Sequence, residues 1–557
     1  MSDEYTLEQE ITLLQQDYAL LNETLADLRH ALQSGTDQRV QQQVTHIEAE
    51  LVDVKRQLEQ LKKNTLSVAL EMQSTTLATL YHVPELPSHV IVQSRIFNEL
   101  KAKLVTKPSL AETTEGQKKP LLLQASTGMG KSVMASILAH DLAIRRTFIH
   151  GIFWIKAGRK PNLLAYQTEL AQRLTGKFFY FANTQMGNQQ LRQICQDKAC
   201  LIILDDVWDV RDVLAFNNLG TYCQLFVTTC DNTLLGFIKN FTQNVQGHML
   251  EVLSKEQANE FWRYQLNNTQ LQPINPQDMQ DIFYACHHVP LALKMVANLF
   301  NSSQSIDHNQ LIRKLKNPNN KFPGTHPQSL MQALHLILAS LDEREEYYLA
   351  LAVFTNYTHI PQKTIVLLWR YLYAITEEQA INFIKELAQK DLLHWHHDNE
   401  QGDHVSLHAF QHDYLCVEAN LEKLHSHLLT AYRRYCHHGW AHGPNDGYFF
   451  QNLCNHLLQV GWDKELKSLL LDFDWLQQKL SVTTIFDLIA DYELLNDIDL
   501  VLIKQALQKA LPILIQDKEQ LAVQLLKYLW QENSSDIQML LNQAQEEVPD
   551  WVTPISQ

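Results

Sequence analysis

Leu121-Leu122-Leu123-Gln124-Ala125-Ser126-Thr127-Gly128-Met129-Gly130-Lys131-Ser132 is the stretch that decides the fold. Its leucine run reads as a strand buried on both faces, and Val133-Met134-Ala135-Ser136-Ile137-Leu138-Ala139-His140 reads as the helix that follows. Between them lies a loop in which Gly128 and Gly130 let backbone N–H groups close around a phosphate chain. The helix N-terminus adds the positive end of its dipole. Ser126, Thr127, Gly128, Met129, Gly130 and Val133 are the candidate loop contacts, Lys131 the cation for the β and γ oxygens, and Ser132 the hydroxyl offered to Mg²⁺. Ala125 stands at the first glycine of the G-x-x-x-x-G-K-[ST] pattern, where the loop opens and a small residue serves.

A second element supports this reading. Cys200-Leu201-Ile202-Ile203-Leu204 is a continuous apolar run that ends in Asp205-Asp206. In open α/β sheets the ligand crevice lies at the carboxyl ends of the strands. There Asp205 can hold Mg²⁺ through water, and Asp206 can polarise the water that attacks a γ-phosphate. The competing reading makes Asp206 the cap of the next helix. Further apolar runs from Phe148 to Ile155 and from Gln224 to Thr228 predict a five-stranded parallel sheet.

At 557 residues the chain exceeds one ordinary core, so several folding units are expected. With 17 glycines and 16 prolines it holds about half the usual share of each, which argues against several all-β modules and for a mainly helical protein. A net charge of −16 speaks against a broad nucleic-acid or anionic-membrane surface. Eight dispersed cysteines, none in a CxxC pair, fit a reducing compartment. The acidic start MSDEYTLEQE is no secretory signal, so a cytoplasmic location is expected. Nothing in it speaks for or against delivery into a host cell as a bacterial effector.

The N-terminal sixty residues carry a different pattern. Leu7, Ile11, Leu14, Tyr18, Leu21, Leu25, Leu28 and Leu32 alternate in steps of four and three, and so do Val40, Val44, Ile47, Leu51, Val54, Leu58 and Leu61. Ser34-Gly35-Thr36-Asp37 breaks the phase between them. The pattern predicts an antiparallel coiled-coil hairpin that docks on a partner or on further copies of the chain; the alternative is a hairpin folded onto its own body.

The order of segments resembles the NB-ARC class of STAND NTPases. The phosphate loop is followed by Gly151-Ile152-Phe153-Trp154-Ile155, by Leu201 to Asp209, and by Leu225-Phe226-Val227-Thr228-Thr229. Cys286-His287-His288-Val289-Pro290-Leu291-Ala292-Leu293 is similar to the class's GLPLAL segment, and Leu407 to Leu415 to the MHD segment that closes its winged-helix domain. Residues from Trp440 to Phe450 and from Leu471 to Leu476 resemble the helical domain of the apoptotic protease-activating-factor branch. The resemblance includes no β-propeller. It implies bound ADP or ATP (or dATP) with Mg²⁺, a resting closed state, and opening on exchange. It also implies that Arg95 sits near the adenine, that Pro290 packs on the base side, and that His408 reaches the β-phosphate. Cys230 replaces the Arg that usually follows Thr228-Thr229, which points to weak or absent hydrolysis. Ala409 replaces the MHD aspartate, which predicts a looser closed form, and His288-Val289 replace Gly-Leu.

Other constellations are less informative. Six histidines between His394 and His412 suggest a metal site, but their alternation around a turn at Asn399-Glu400-Gln401-Gly402 reads as a β-hairpin with a solvated face. No nucleophile elbow supports a hydrolase. The expected architecture is multidomain and mainly α: a coiled-coil hairpin over 1–63, a linker and adenine-side segment over 64–115, a P-loop α/β nucleotide-binding domain over 116–247, a small helical domain over 248–325, a winged helix over 326–420 and a C-terminal helical domain over 421–557. The expected function is a nucleotide switch or scaffold that presents the coiled coil to a protein partner, with the C-terminal helices as a second protein-binding surface. The alternatives are a structural interaction module that uses nucleotide as a staple, or a competent slow ATPase. Neither nucleic acid nor membrane insertion is expected.

Overall fold

The computed structural model describes residues 77–106, 119–241, 245–266, 275–302, 308–316, 326–397 and 402–551 apart from isolated positions, and in the N-terminal stretch 21–26, 43–57, Tyr18 and Arg29. Six parallel strands form the central sheet: β1 (Leu80–Tyr81), β2 (Leu121–Gln124), β3 (Ile152–Gly158), β4 (Leu201–Val207), β5 (Gln224–Thr229) and β6 (Gln246–Met249). Their order is β1-β3-β4-β5-β2-β6. The sequence predicts five strands. The two outer strands β1 and β6 have only two and four residues, and β6 is mostly polar, so an apolar-run criterion cannot register them.

The apolar runs of the four inner strands are buried because both faces of the sheet are covered. Leu121, Leu123, Leu201, Ile203 and Phe226 point to the helix Lys131–His140, with Met134, Ala135 and Leu138 in the same core. Leu122, Ile202, Leu204, Leu225 and Val227 point the other way, onto a core shared with Leu170 and Leu191 of the helices Leu163–Thr175 and Thr184–Ile194. This alternation fixes which strand residues share a face with the phosphate loop.

Beyond the sheet the chain is helical. Trp262 sits edge-on to Phe283 at 5.7 Å and to Phe300 at 5.6 Å, joining three helices. A small antiparallel sheet follows, with β7 (Ile360–Pro361), β8 (His394–His396) and β9 (His404–Ser406) in the order β7-β9-β8. The β8–β9 hairpin is where the sequence predicts one, with His396 opposite His404. Helices from Leu421 to Glu547 complete the structure, with Trp475 stacked on Phe450 at 5.2 Å. In the N-terminal stretch 21–26 and 43–57 are helical, Leu25 and Leu51 are buried, and Arg29 pairs with Glu48 at 2.6 Å. Tyr18, Leu21, Val44, Ile47 and Val54 are half-buried, and the remaining seam positions, Leu7, Ile11, Leu14, Leu28, Leu32, Val40, Leu58 and Leu61, lie outside the described residues, as does the turn at Ser34–Asp37. Among the described residues no helix is long and apolar enough to cross a membrane.

One buried ion pair tests the C-terminal packing. Lys479 and Asp491 meet with side chains 0% and 5% exposed. Removing one partner strands a charge in an apolar interior, whereas replacing both leaves none. Lys479→Met is expected to cost about 3–5 kcal/mol in chemical unfolding, and Lys479→Met with Asp491→Leu to recover most of it.

Candidate functional site

The loop after β2 has the backbone that phosphate binding requires. Gly128 and Gly130 hold φ of +83° and +91°, a region that L side chains avoid. At Gly128 space is a second constraint, because a Cβ would lie 3.0 Å from Leu291 Cβ and 3.2 Å from Val289 Cγ1. The Leu291 N–H donates to the Gly128 carbonyl at 3.2 Å, so the segment around Pro290 packs on the phosphate loop. His288 holds φ +55° at the position where the resemblance to GLPLAL expects glycine, a conformation that costs a non-glycine residue about 1–2 kcal/mol.

Lys131 opens its helix and is 9% exposed. Its ammonium donates to the carbonyls of Ala125 at 2.9 Å and Ser126 at 3.2 Å, oxygens of the very loop that would wrap a phosphate. Burial pulls the Lys131 pKa down, against the pull of nearby Cys230, Asp206 and Asp205. Burial also pushes the Cys230 thiol up to about 11, so it is neutral near pH 7.

Asp205 ends the apolar part of β4 at 5% exposure. It accepts the Ser132 hydroxyl at 2.8 Å and the Thr228 hydroxyl at 2.6 Å, both on the same Oδ1. Burial raises its pKa, and the two hydroxyl bonds oppose that shift. Thr228 also accepts the Asp206 N–H at 3.0 Å, and Asp206 itself holds φ +59°. The converging Ser132 hydroxyl and Asp205 carboxylate are an all-oxygen donor pair, which fits a hard cation such as Mg²⁺.

A cavity of about 590 Å³ opens over these groups, within the range of small-molecule sites. Thr127, Gly128, Met129, Gly130, Lys131, Ser132, Val133, Asp205, Asp206, Pro290 and His408 all line it. Ser126 is exposed beside it and contributes its carbonyl to Lys131. Arg95 does not reach the wall. Its side chain is 82% exposed and pairs with Glu99 one helical turn on, at 3.1 Å. The far end of the cavity is apolar, with Ile91, Leu250, Leu253 and Phe261, and His89 there stacks on Tyr264 at 3.8 Å. Gln93 fixes this end by donating to the Glu251 carbonyl at 2.6 Å and accepting the Glu251 N–H at 3.4 Å.

The wall opposite the loop comes from the region of the small sheet. His408 faces His394 with 3.1 Å between their Nε2 atoms. Burial, then the neighbouring His394, Lys156 and Lys294, holds His408 well below the usual histidine range. A polar chain ties the two walls together. Thr127 Oγ1 lies 3.1 Å from His326 Nδ1, His326 Nε2 lies 2.8 Å from Asp413 Oδ2, and Arg159 donates to the same carboxylate oxygen at 2.6 Å. Burial pushes the Asp413 pKa up, but hydrogen bonds from His326 and Arg159 and their charge leave it below its usual range. Asp413 belongs to the segment similar to MHD, while His326, Arg159, His394, Lys156 and Lys294 lie in no motif, and no sequence signal singles them out for this site.

Residues 98–272 match the NB-ARC domain and residues 421–548 match the APAF-1 helical domain. Residues 98–272 are an NB-ARC domain. Apoptotic protease-activating factor 1 of Rattus norvegicus is 26% identical over 420 residues, 71% of this chain and 32% of that protein. The Homo sapiens protein of the same name is 25% identical over 420 residues, again 71% and 32%. A probable disease resistance protein of Arabidopsis thaliana is 23% identical over 297 residues, 52% of this chain and 35% of its own length. The chain thus spans 32% of the length of the apoptotic relatives. Strands β2 to β6, the phosphate loop and Asp205-Asp206 all lie within the NB-ARC domain, and β1 precedes it.

Two predictions follow from the geometry that joins the NB-ARC domain to the small sheet. Asp413→Asn weakens the bonds to His326 and Arg159, and is expected to cost about 1–3 kcal/mol in chemical unfolding. His394, His396 and His408 are all held low, first by burial, with His396 at about 4. The unfolded chain binds protons at these histidines from about pH 6.5 downward. The stability they contribute is therefore present above that value and lost as pH falls toward 4. Urea midpoints at pH 7.5, 5.5 and 4.5 should fall in that order, less steeply in His396→Asn.

Proposed function

We propose that this chain is a nucleotide-operated switch in which ADP or ATP bridges the NB-ARC domain and the region around β8 and β9. The observation that carries the reading is the shared cavity: the phosphate loop forms one wall and His408 stands in the other. A ligand placed there makes different contacts when the two regions separate, which any ligand-driven switch requires. In this reading the loop from Ser126 to Gly130 wraps the phosphates, Lys131 leaves its own loop carbonyls for the β and γ oxygens, and His408 senses the β-phosphate. Mg²⁺, when bound, draws off phosphate charge beside Ser132 and Asp205. Pro290 and the apolar end of the cavity receive the base.

The same reading treats 326–420 as a winged helix, 1–63 as a coiled-coil hairpin and 421–557 as a helical domain, with 64–115, 116–247 and 248–325 divided as the sequence suggests. The hairpin and the C-terminal helices are the proposed surfaces for a protein partner or for further copies of the chain, in a cytoplasmic setting. A neutral Cys230 beside Lys131 supplies no cation for transition-state charge, so hydrolysis is expected to be slow, with Asp206 as its base.

Mass spectrometry of nucleotide released from purified protein tests this directly. ADP or ATP is expected in near-stoichiometric amount in wild type and should be absent from Lys131→Ala. Asp206→Asn should lower any turnover at least about tenfold with binding nearly intact. His408→Ala should release ADP faster than wild type. No nucleotide in wild type and no saturable binding with Mg²⁺ would exclude the proposal.

A further inference from the structure

We propose that Lys156 is the cation that recognises the γ-phosphate in this site, entering from β3 on the side of Asp205 away from Cys230. The inference rests on the nucleotide reading above and concerns how triphosphate is told from diphosphate.

Strand register places the residue. On β3 Lys156 is the direct partner of Asp205 on β4, and neighbouring strands lie about 4.8 Å apart. Side chains alternate along a strand, so Lys156 shares the face of Trp154 and Ile152, as Asp205 shares that of Ile203 and Leu201. Those four residues belong to the core beneath the helix Lys131–His140. Lys156 therefore leaves the sheet on the phosphate-loop side, and it lines the cavity together with Trp154, Asp205 and His408.

Engagement separates the three lysines that line the cavity. Lys131 is bonded to Ala125 and Ser126, and Lys294 to Asp391 at 2.9 Å. Lys156 is exposed, and among the described residues its ammonium has no hydrogen-bond or ion-pair partner. Its charge is felt at Asp205, His394 and His408, the groups that border the phosphate end on either side. Cys230, at the end of β5 on the other flank of β4, brings no charge. A compact ammonium on a four-carbon stem can follow an incoming γ-phosphate and return to solvent when only a diphosphate is bound.

The test uses the full chain with Mg²⁺ and competition against a fluorescent ADP analogue. Lys156→Ala should weaken a non-hydrolysable ATP analogue about tenfold and ADP less than about twofold, while Lys156→Arg keeps most of the discrimination. Thermal melts of the variants without nucleotide should match wild type, which separates recognition from folding. If wild type binds both nucleotides and Lys156→Ala weakens both equally or neither, this inference fails while the nucleotide reading stands. If wild type binds neither, both fail together.

Discussion

A carboxylate taken out of water needs compensation, and much of this site's geometry follows from how Asp205 obtains it. Two hydroxyls, from Ser132 at the start of the phosphate-loop helix and from Thr228 near the end of β5, donate to one of its oxygens. The bonds satisfy a group whose unpaired burial costs several kcal/mol, and they lock three elements in register at the carboxyl edge of the sheet. Thr228 then holds the Asp206 backbone in its left-handed turn. The loop cannot shift relative to β4 without breaking the Asp205 bonds, so the cavity floor is set before any ligand arrives.

The opposite wall depends on a different kind of contact. Thr127, His326, Asp413 and Arg159 form a chain that starts in the phosphate loop, crosses to the helix Ala409–Glu418 and returns to the residue after β3. The sequence expectation of a looser closed form rests on Ala409 alone. A carboxylate four residues later, at Asp413, supplies a polar tie to the NB-ARC domain that the motif comparison does not register. The His326 side chain at the middle of the tie is 2% exposed, so few solvent bonds compete there, while Arg159 at its end is 44% exposed. The two walls are thus held by local groups as well as by whatever occupies the cavity, and a switch built this way must break those groups to open.

Much of the floor was legible in the sequence because it is contiguous: the loop from Ala125 to Ser132 and the pair Asp205-Asp206 are each read from a single stretch. The sheet was legible for its four inner strands, where burial on both faces forces apolar runs, and not for β1 and β6, whose outer positions relax that demand. The far wall was legible only in part. His408 and Pro290 come from motif likeness and do line the cavity, but Arg95, carried over the same way, pairs with Glu99 on its own helix instead. His326, Arg159 and Lys156 matter through distances between residues far apart in the chain, which no periodicity encodes.

Hydrogen–deuterium exchange of the full chain with and without ADP tests the central claim most directly, because it reads both walls at once. The account predicts that ADP slows exchange in the phosphate loop, residues 125–133, and also across 404–415 around His408. Protection confined to the loop, with 404–415 unchanged, would contradict it.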